Sequence, residues 1–124
     1  MNEKNTLKSE LNNNPFGIKH ALRGLGIFFL GRNSKVHLVV FICVLLAGIY
    51  FGLSKIEWFF IAIVAGIVFI TEAINTAIEI DIDLTSPDYH PYARDAKDVA
   101  AGAVLISIVL AIVVGLAIFI PKFI

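Results

Sequence analysis

The sequence predicts an all-α membrane protein in which an N-terminal amphipathic surface helix precedes three transmembrane helices. Composition is the first observation behind this: the 124 residues are 58% hydrophobic and 16% charged, where soluble domains are about 45–50% apolar and about 25% charged. Mean hydropathy is the second, at +0.85, because so small a body exposes a large share of its surface and that surface would have to be apolar. The third is three long apolar segments, each near the roughly 17–25 residues that cross a bilayer as a helix. The length allows one domain.

The elements follow in chain order. Met1 to Asn14 are polar and rich in Asn, Lys and Glu, and are expected to form a flexible tail, since they bury too little apolar surface to offset ordering entropy. No apolar run follows the first basic residues, so a signal peptide is not expected. Asn14 before Pro15 is a helix-start signal, an N-cap followed by proline at the first helical position. Ile18, Ala21, Leu22, Leu25, Phe28 and Phe29 then recur at helical spacing, with Lys19, His20 and Arg23 on the other side. The pattern over about 15–30 reads as a helix lying in the membrane interface, with interior packing as the alternative. Gly24 and Gly26 each weaken it by roughly 1 kcal/mol relative to alanine.

The three apolar segments run over about 36–53, 57–80 and 99–120. Ser54, Lys55 and Ile56 separate the first two and imply a tight helical hairpin. A polar loop, 81–98, separates the second from the third and contains the turn signal Ser86-Pro87-Asp88. Lys4, Lys8, Lys19, Arg23, Arg32 and Lys35 precede the first span, and Arg94 and Lys97 precede the third. Lysine and arginine are retained on the cytoplasmic side, so the N-terminus and the polar loop are expected to be cytoplasmic and the C-terminus external. Tyr50 and Trp58 fall where interfacial aromatics belong. Ala62 with Gly66, Ala111 with Gly115, and the run Ala100 to Ala103 have the small-residue spacing that lets membrane helices approach closely.

Charge also excludes functions. The 10 basic and 10 acidic residues cancel, which leaves no basic footprint for nucleic acid. A single Cys43 excludes an internal disulfide and a cysteine zinc cluster, and inside the first span it reads as a small apolar residue. Gly24 and Gly26 do not complete a dinucleotide fingerprint, no Walker motif is present, and His20, His37 and His90 are too scattered for a metal trio.

Chemistry is expected elsewhere. Seven of the 10 acidic residues lie between Glu72 and Asp98. At about 100° per residue, Glu72, Asn75, Glu79 and Asp83 share an arc of roughly 80° on one helix face, with Asp81 opposite. Glu72 lies within an apolar segment, where an ionisable group is costly enough to suggest function by default. The plain alternative makes Glu72 and Asn75 interhelical hydrogen-bonding glue and Glu79 and Asp83 a solvated helix end. The functional reading makes the deep carboxylate a general base and the shallower ones ligands for Mg²⁺ and its nucleotide. Lys97 faces the stripe across the loop, although one lysine at that boundary also satisfies topology alone. Asp98 could simply cap the last helix.

The block Glu72-Ala73-Ile74-Asn75-Thr76-Ala77-Ile78-Glu79 is followed by Asp83, Tyr89-His90 and Ala96-Lys97-Asp98, and then by Ala101-Gly102-Ala103-Val104-Leu105-Ile106. Together these resemble the bacterial integral-membrane diacylglycerol kinase family, whose Gram-positive branch phosphorylates undecaprenol. The resemblance runs from about Phe16 over nearly the whole chain. It implies a homotrimer in the bacterial cytoplasmic membrane, with ATP and Mg²⁺ at the cytoplasmic surface and a lipid alcohol arriving from the bilayer. It also implies that Glu72 is the general base and that Asn75 and Lys97 contact the γ-phosphate. Glu79 would be the main metal-coordinating carboxylate, with Asp83, His90 and Asp98 supporting the nucleotide region.

One stretch departs from the family pattern. Relatives commonly carry a second metal-binding carboxylate in a sequence like E-R-N-[FA]-R-[IV]-H, where this chain reads Gly31-Arg32-Asn33-Ser34-Lys35-Val36-His37. Gly31 brings no ligand, which leaves Asp81, Asp83 or water for that position, or a lower activity. Thr76, the hairpin Gly52 to Trp58 and the segment Ala100 to Val104 look closer to the undecaprenol branch, with diacylglycerol as the alternative substrate. A non-catalytic or proton-translocating membrane protein is the alternative of another class. Lys97 and Glu79 favour phosphoryl chemistry over that alternative, because Glu72 is the only carboxylate on the second span between Glu57 and Glu79.

Overall fold

A computed structural model describes residues 2–13 and 17–124, and among them all regular structure is helical: α1 (Glu3–Asn13), α2 (Ile18–Leu30), α3 (Arg32–Phe51), α4 (Lys55–Thr85) and α5 (Pro91–Phe123). The chain divides into two compact units, Met1–Lys35 and Val36–Ile124.

In the first unit, the expected loose tail contains a helix, α1. Asn2 starts it, its Oδ1 accepting from the Asn5 N–H at 3.0 Å, and Glu3 in the first turn suits the positive end of the helix dipole. Composition could exclude a buried core there, but a helix satisfies its backbone without one. The expected cap and proline at Asn14 and Pro15 lie outside the described residues. Gly17 occupies the N-cap position of α2 with φ 64°, a left-handed conformation open to glycine, and offers no side-chain cap. Ile18, Leu22, Leu25 and Leu30 of α2 are exposed while Phe28 is buried. The apolar face of α2 is therefore largely uncovered within the chain. Beyond α2, the Ser34 hydroxyl donates to the Phe28 and Gly31 carbonyls.

In the second unit, α3, α4 and α5 are each long and apolar enough to cross a membrane. Most of their large apolar side chains are exposed, a surface that only lipid or other protein can cover. The helices overrun the expected spans. The anticipated loop 81–98 shrinks to Ser86–His90, because α4 continues to Thr85 and α5 begins at Pro91. Polar residues marked the limit of the apolar core, but polar residues can continue a helix. His90 caps α5, its Nδ1 accepting from the Tyr92 N–H at 3.2 Å, with proline next. The capping role considered for Asp98 is thus corrected to His90.

The hairpin turn falls at Gly52–Ser54, two residues earlier than expected. Gly52 takes φ 69°, and the N–H groups of Gly52 and Leu53 both bond the Gly48 carbonyl at 3.0 and 3.1 Å, which closes α3. Ser54 and Glu57 then open α4 with a reciprocal capping box, and Glu57 also pairs with Lys122 at 3.2 Å. At this end the three helices meet around Leu53, Ile61 and Ile118, with Val44, Trp58, Val114 and Phe119 packed against them.

Farther from the turn, α4 and α5 remain in direct contact, and the Thr71 hydroxyl donates to Ser107 Oγ at 2.9 Å. Here α3 stands off. It leaves an open apolar groove of about 370 Å³ whose walls include Val40 and Phe41 of α3, Val64 and Val68 of α4, and Ile108 and Ile112 of α5. The edge-to-face contact of Phe41 with Phe69, 5.8 Å between ring centroids, spans α3 and α4 beside it.

Candidate active site

Because α4 is continuous from Lys55 to Thr85, Glu72, Asn75, Glu79 and Asp83 lie on one face, as their spacing implies. Burial falls along that stripe. Glu72 is 4% and Asn75 5% exposed, whereas Glu79 and Asp83 are open to the surroundings. The deep end is apolar and the shallow end polar, so the stripe leads from the groove to the Thr85–Pro91 turn.

Each member of the stripe has a distinct neighbour. The Glu72 carboxylate faces His37 of α3, with Nε2 to Oε2 at 3.6 Å. This is a close electrostatic contact, longer than a good hydrogen bond. His37 also lines the groove. One turn along, Asn75 Nδ2 donates to Glu79 Oε1 at 3.3 Å and tethers the exposed carboxylate. Asn75 Oδ1 is buried without a hydrogen-bond partner. Such an atom costs roughly 1–3 kcal/mol unless something donates to it, and it marks a point where a donor from outside the chain would be welcome.

At the shallow end, Lys97 of α5 pairs with Asp83 of α4. Lys97 lies in the polar opening turns of α5, ahead of the apolar stretch, and its hydrogen bond to Asp83 holds the ammonium above its ordinary lysine value, with Glu79 adding a smaller push in the same direction. Glu79, Asp83 and Lys97 therefore form one electrostatic group. Two expected site residues fall outside it. The ring of exposed His90 caps α5 and sits 5.6 Å from Tyr92, and Asp98 faces Arg94 at 3.9 Å on the exposed side of α5.

The donor set fits a magnesium nucleotide better than a free metal ion. Among the described residues, no three His, Cys, Asp or Glu side chains converge as a cage. Glu79 is a single accessible carboxylate beside a lysine. Mg²⁺ typically takes one or two carboxylates, with water and phosphate oxygens completing its shell. Asp83 is engaged by Lys97, and Asp81 lies on the opposite face of α4 from the stripe.

His37 is the residue that sequence reasoning missed. Spacing among the three histidines was uninformative, but the hairpin carried a usable signal. His37 and Glu72 lie at similar distances in sequence from the Gly52–Ser54 turn, and in an antiparallel pair this puts them at similar depth.

Residues 19–119 match the family model for prokaryotic diacylglycerol kinase. The undecaprenol kinase of Bacillus subtilis (strain 168) is 40% identical over 116 residues, covering 93% of this chain and 94% of that protein. A diacylglycerol kinase of Synechocystis sp. is 37% identical over 95 residues, 76% of this chain and 54% of that protein. A diacylglycerol kinase of Helicobacter pylori (strain 26695) is 31% identical over 75 residues, 60% of this chain and 58% of that protein. No solved structure matches the chain.

Proposed function

The chain belongs to the prokaryotic diacylglycerol kinase family, a family of membrane lipid kinases, and from that premise we propose that it transfers the γ-phosphoryl group of ATP to the hydroxyl of undecaprenol. A kinase of this family takes a nucleotide as phosphoryl donor; the choice of ATP with Mg²⁺ is part of the proposal. The observation that carries it is the buried Glu72 carboxylate, one helical turn beyond Val68 of the apolar groove and 3.6 Å from groove-lining His37, at the deep end of the polar stripe. A lipid alcohol lying along the groove would bring its hydroxyl to Glu72, while a nucleotide at the polar turn would bring its phosphates to Lys97 and Glu79.

In this reading Glu72 accepts the proton that the hydroxyl loses as it attacks phosphorus. Asn75 positions Glu79 through its amide, and Asn75 and Lys97 contact the transferring phosphoryl group. Glu79 would hold Mg²⁺, which neutralises charge on the phosphate oxygens. Asp83 keeps the Lys97 ammonium at the site until a phosphate competes for it, while His90 and Asp98 support the nucleotide region. In-line transfer needs the nucleophile and its base on one side and the leaving phosphates on the other, and the gradient of burial along α4 supports that order. Undecaprenol rests on the similarity to the Bacillus subtilis enzyme. Diacylglycerol is the second reading, favoured by the names of the shorter matches. The proposal includes a homotrimer in the bacterial cytoplasmic membrane, with the N-terminus and the Thr85–Pro91 turn cytoplasmic and the C-terminus external.

The test is purified protein in mixed micelles with Mg-ATP, offered undecaprenol and diacylglycerol side by side. Undecaprenyl phosphate should form, and Glu72→Gln should lower its rate by about 10²-fold or more, the scale of a lost general base. Equal ATP consumption by wild type and variant without a phosphorylated lipid would sink the kinase reading, and preferential phosphorylation of diacylglycerol would select the second substrate.

A further inference from the structure

We propose that His37 is a positioning residue for the reaction, fixing the rotamer of the Glu72 carboxylate by engaging Oε2 through its ring Nε2. This inference rests on the lipid-kinase reading and concerns a residue on a different helix from the base. Glu72 is almost fully buried, and a free carboxylate on a two-methylene stem would sample several orientations. Its neighbours on α4 are committed elsewhere. Asn75 Nδ2 donates to Glu79, the Thr76 hydroxyl to the Glu72 backbone carbonyl, and the Thr71 hydroxyl to Ser107 and to backbone carbonyls. From α5, Lys97 is held by Asp83. Among the described residues, His37 is therefore the basic side chain within ion-pair distance of the Glu72 carboxylate, at 3.6 Å.

The direction of the contact gives it a role. With Oε2 turned toward α3, Oε1 is left for a hydroxyl carried in along the groove that His37 lines. Reacting groups often sit slightly apart before substrate binds and tighten in the complex, so the resting 3.6 Å would close to a hydrogen bond as the groove fills. A group that acts through another should govern turnover more than substrate affinity.

His37→Leu and His37→Gln are compared with wild type in the micelle assay, together with melting temperature in detergent. Leucine keeps an apolar filler in the groove wall, and glutamine restores a nitrogen donor near the position of Nε2. His37→Leu should lower kcat roughly 10–100-fold, the usual cost of losing a partner that orients a reacting group, with KM for lipid and for ATP within about threefold and the melting temperature unchanged. His37→Gln should recover most of the lost kcat. Wild-type turnover by His37→Leu overturns the inference alone, as does equal loss in both variants with a lowered melting temperature, which would mark a structural contact. Absence of product from the wild type overturns the kinase reading and this inference with it.

A Glu72→Asp background serves if His37→Leu does not fold alone. The shorter side chain withdraws the carboxylate from the ring, so adding His37→Met, which lacks the ring nitrogen, should change turnover there by less than about threefold, against the larger loss it causes beside Glu72. Coupled residues are non-additive in this way, and the same factor in both backgrounds would overturn the inference.

Discussion

At the residue scale, the contrast between Glu72 and Glu79 organises the site. Both are glutamates on one face of α4, two turns apart, yet one is buried beside His37 and the other is exposed beside Lys97. Their environments differ as the proposed roles of base and metal ligand require, a difference in burial that spacing alone does not show. Gly31 is the converse case, a position notable for what it lacks. Its φ of −68° and ψ of 145° are open to any residue, but an added Cβ would lie 3.2 Å from the Phe28 carbonyl oxygen and 3.4 Å from Ser34 Oγ. Gly31→Glu should therefore fold at a cost of about 1 kcal/mol or less, within the usual range for a tight but unstrained substitution. If the missing carboxylate limits metal binding, the same variant should reach half-maximal turnover at a lower Mg²⁺ concentration; an unchanged Mg²⁺ titration would show that Gly31 does not matter for the metal.

At the element scale, hydropathy located the membrane helices but capping decided where they stop. The second and third spans were expected to end near Ile80 and begin near Val99, yet α4 and α5 run past those limits to Thr85 and from Pro91. That extension brings Asp83 and Lys97 onto helices, where they meet. The glycines also separate by context. A Cβ at Gly48 would come within 2.5 Å of the Trp58 ring and 2.9 Å of Leu53, whereas Gly66, Gly102 and Gly115 have nothing within 4 Å. Gly48→Ala should thus destabilise by about 1–3 kcal/mol, the cost of overpacking, offset in part by the better helix propensity of alanine. Gly66→Ala should leave the melting temperature in detergent unchanged or raised. Equal behaviour of the two variants would show that the packing of Trp58 against α3 does not hold the hairpin. Among the described residues, Gly66 and Gly115 of the two small-residue pairs thus meet no close neighbour.

At the scale of the whole molecule, three apolar helices leave most of their side-chain surface uncovered, so the membrane and any neighbouring copies must supply the rest of the packing. The proposed homotrimer should appear as three chains by native mass spectrometry from a mild detergent, and a monomer that retains full turnover would overturn it. Membrane residence, the approximate spans and the acidic stripe were legible from the sequence, because hydropathy and helical periodicity are local properties. The same local signals failed at the tail, where polar residues form α1, and at the loop, where polar residues continue α4 and α5. Tertiary structure alone decided that α3 stands away from α4 and α5 to leave a groove, that Asn75 tethers Glu79, and that His37 meets Glu72. Each depends on how helices distant in sequence are set against one another, and no periodicity along a single segment records the angle or depth at which another helix crosses it.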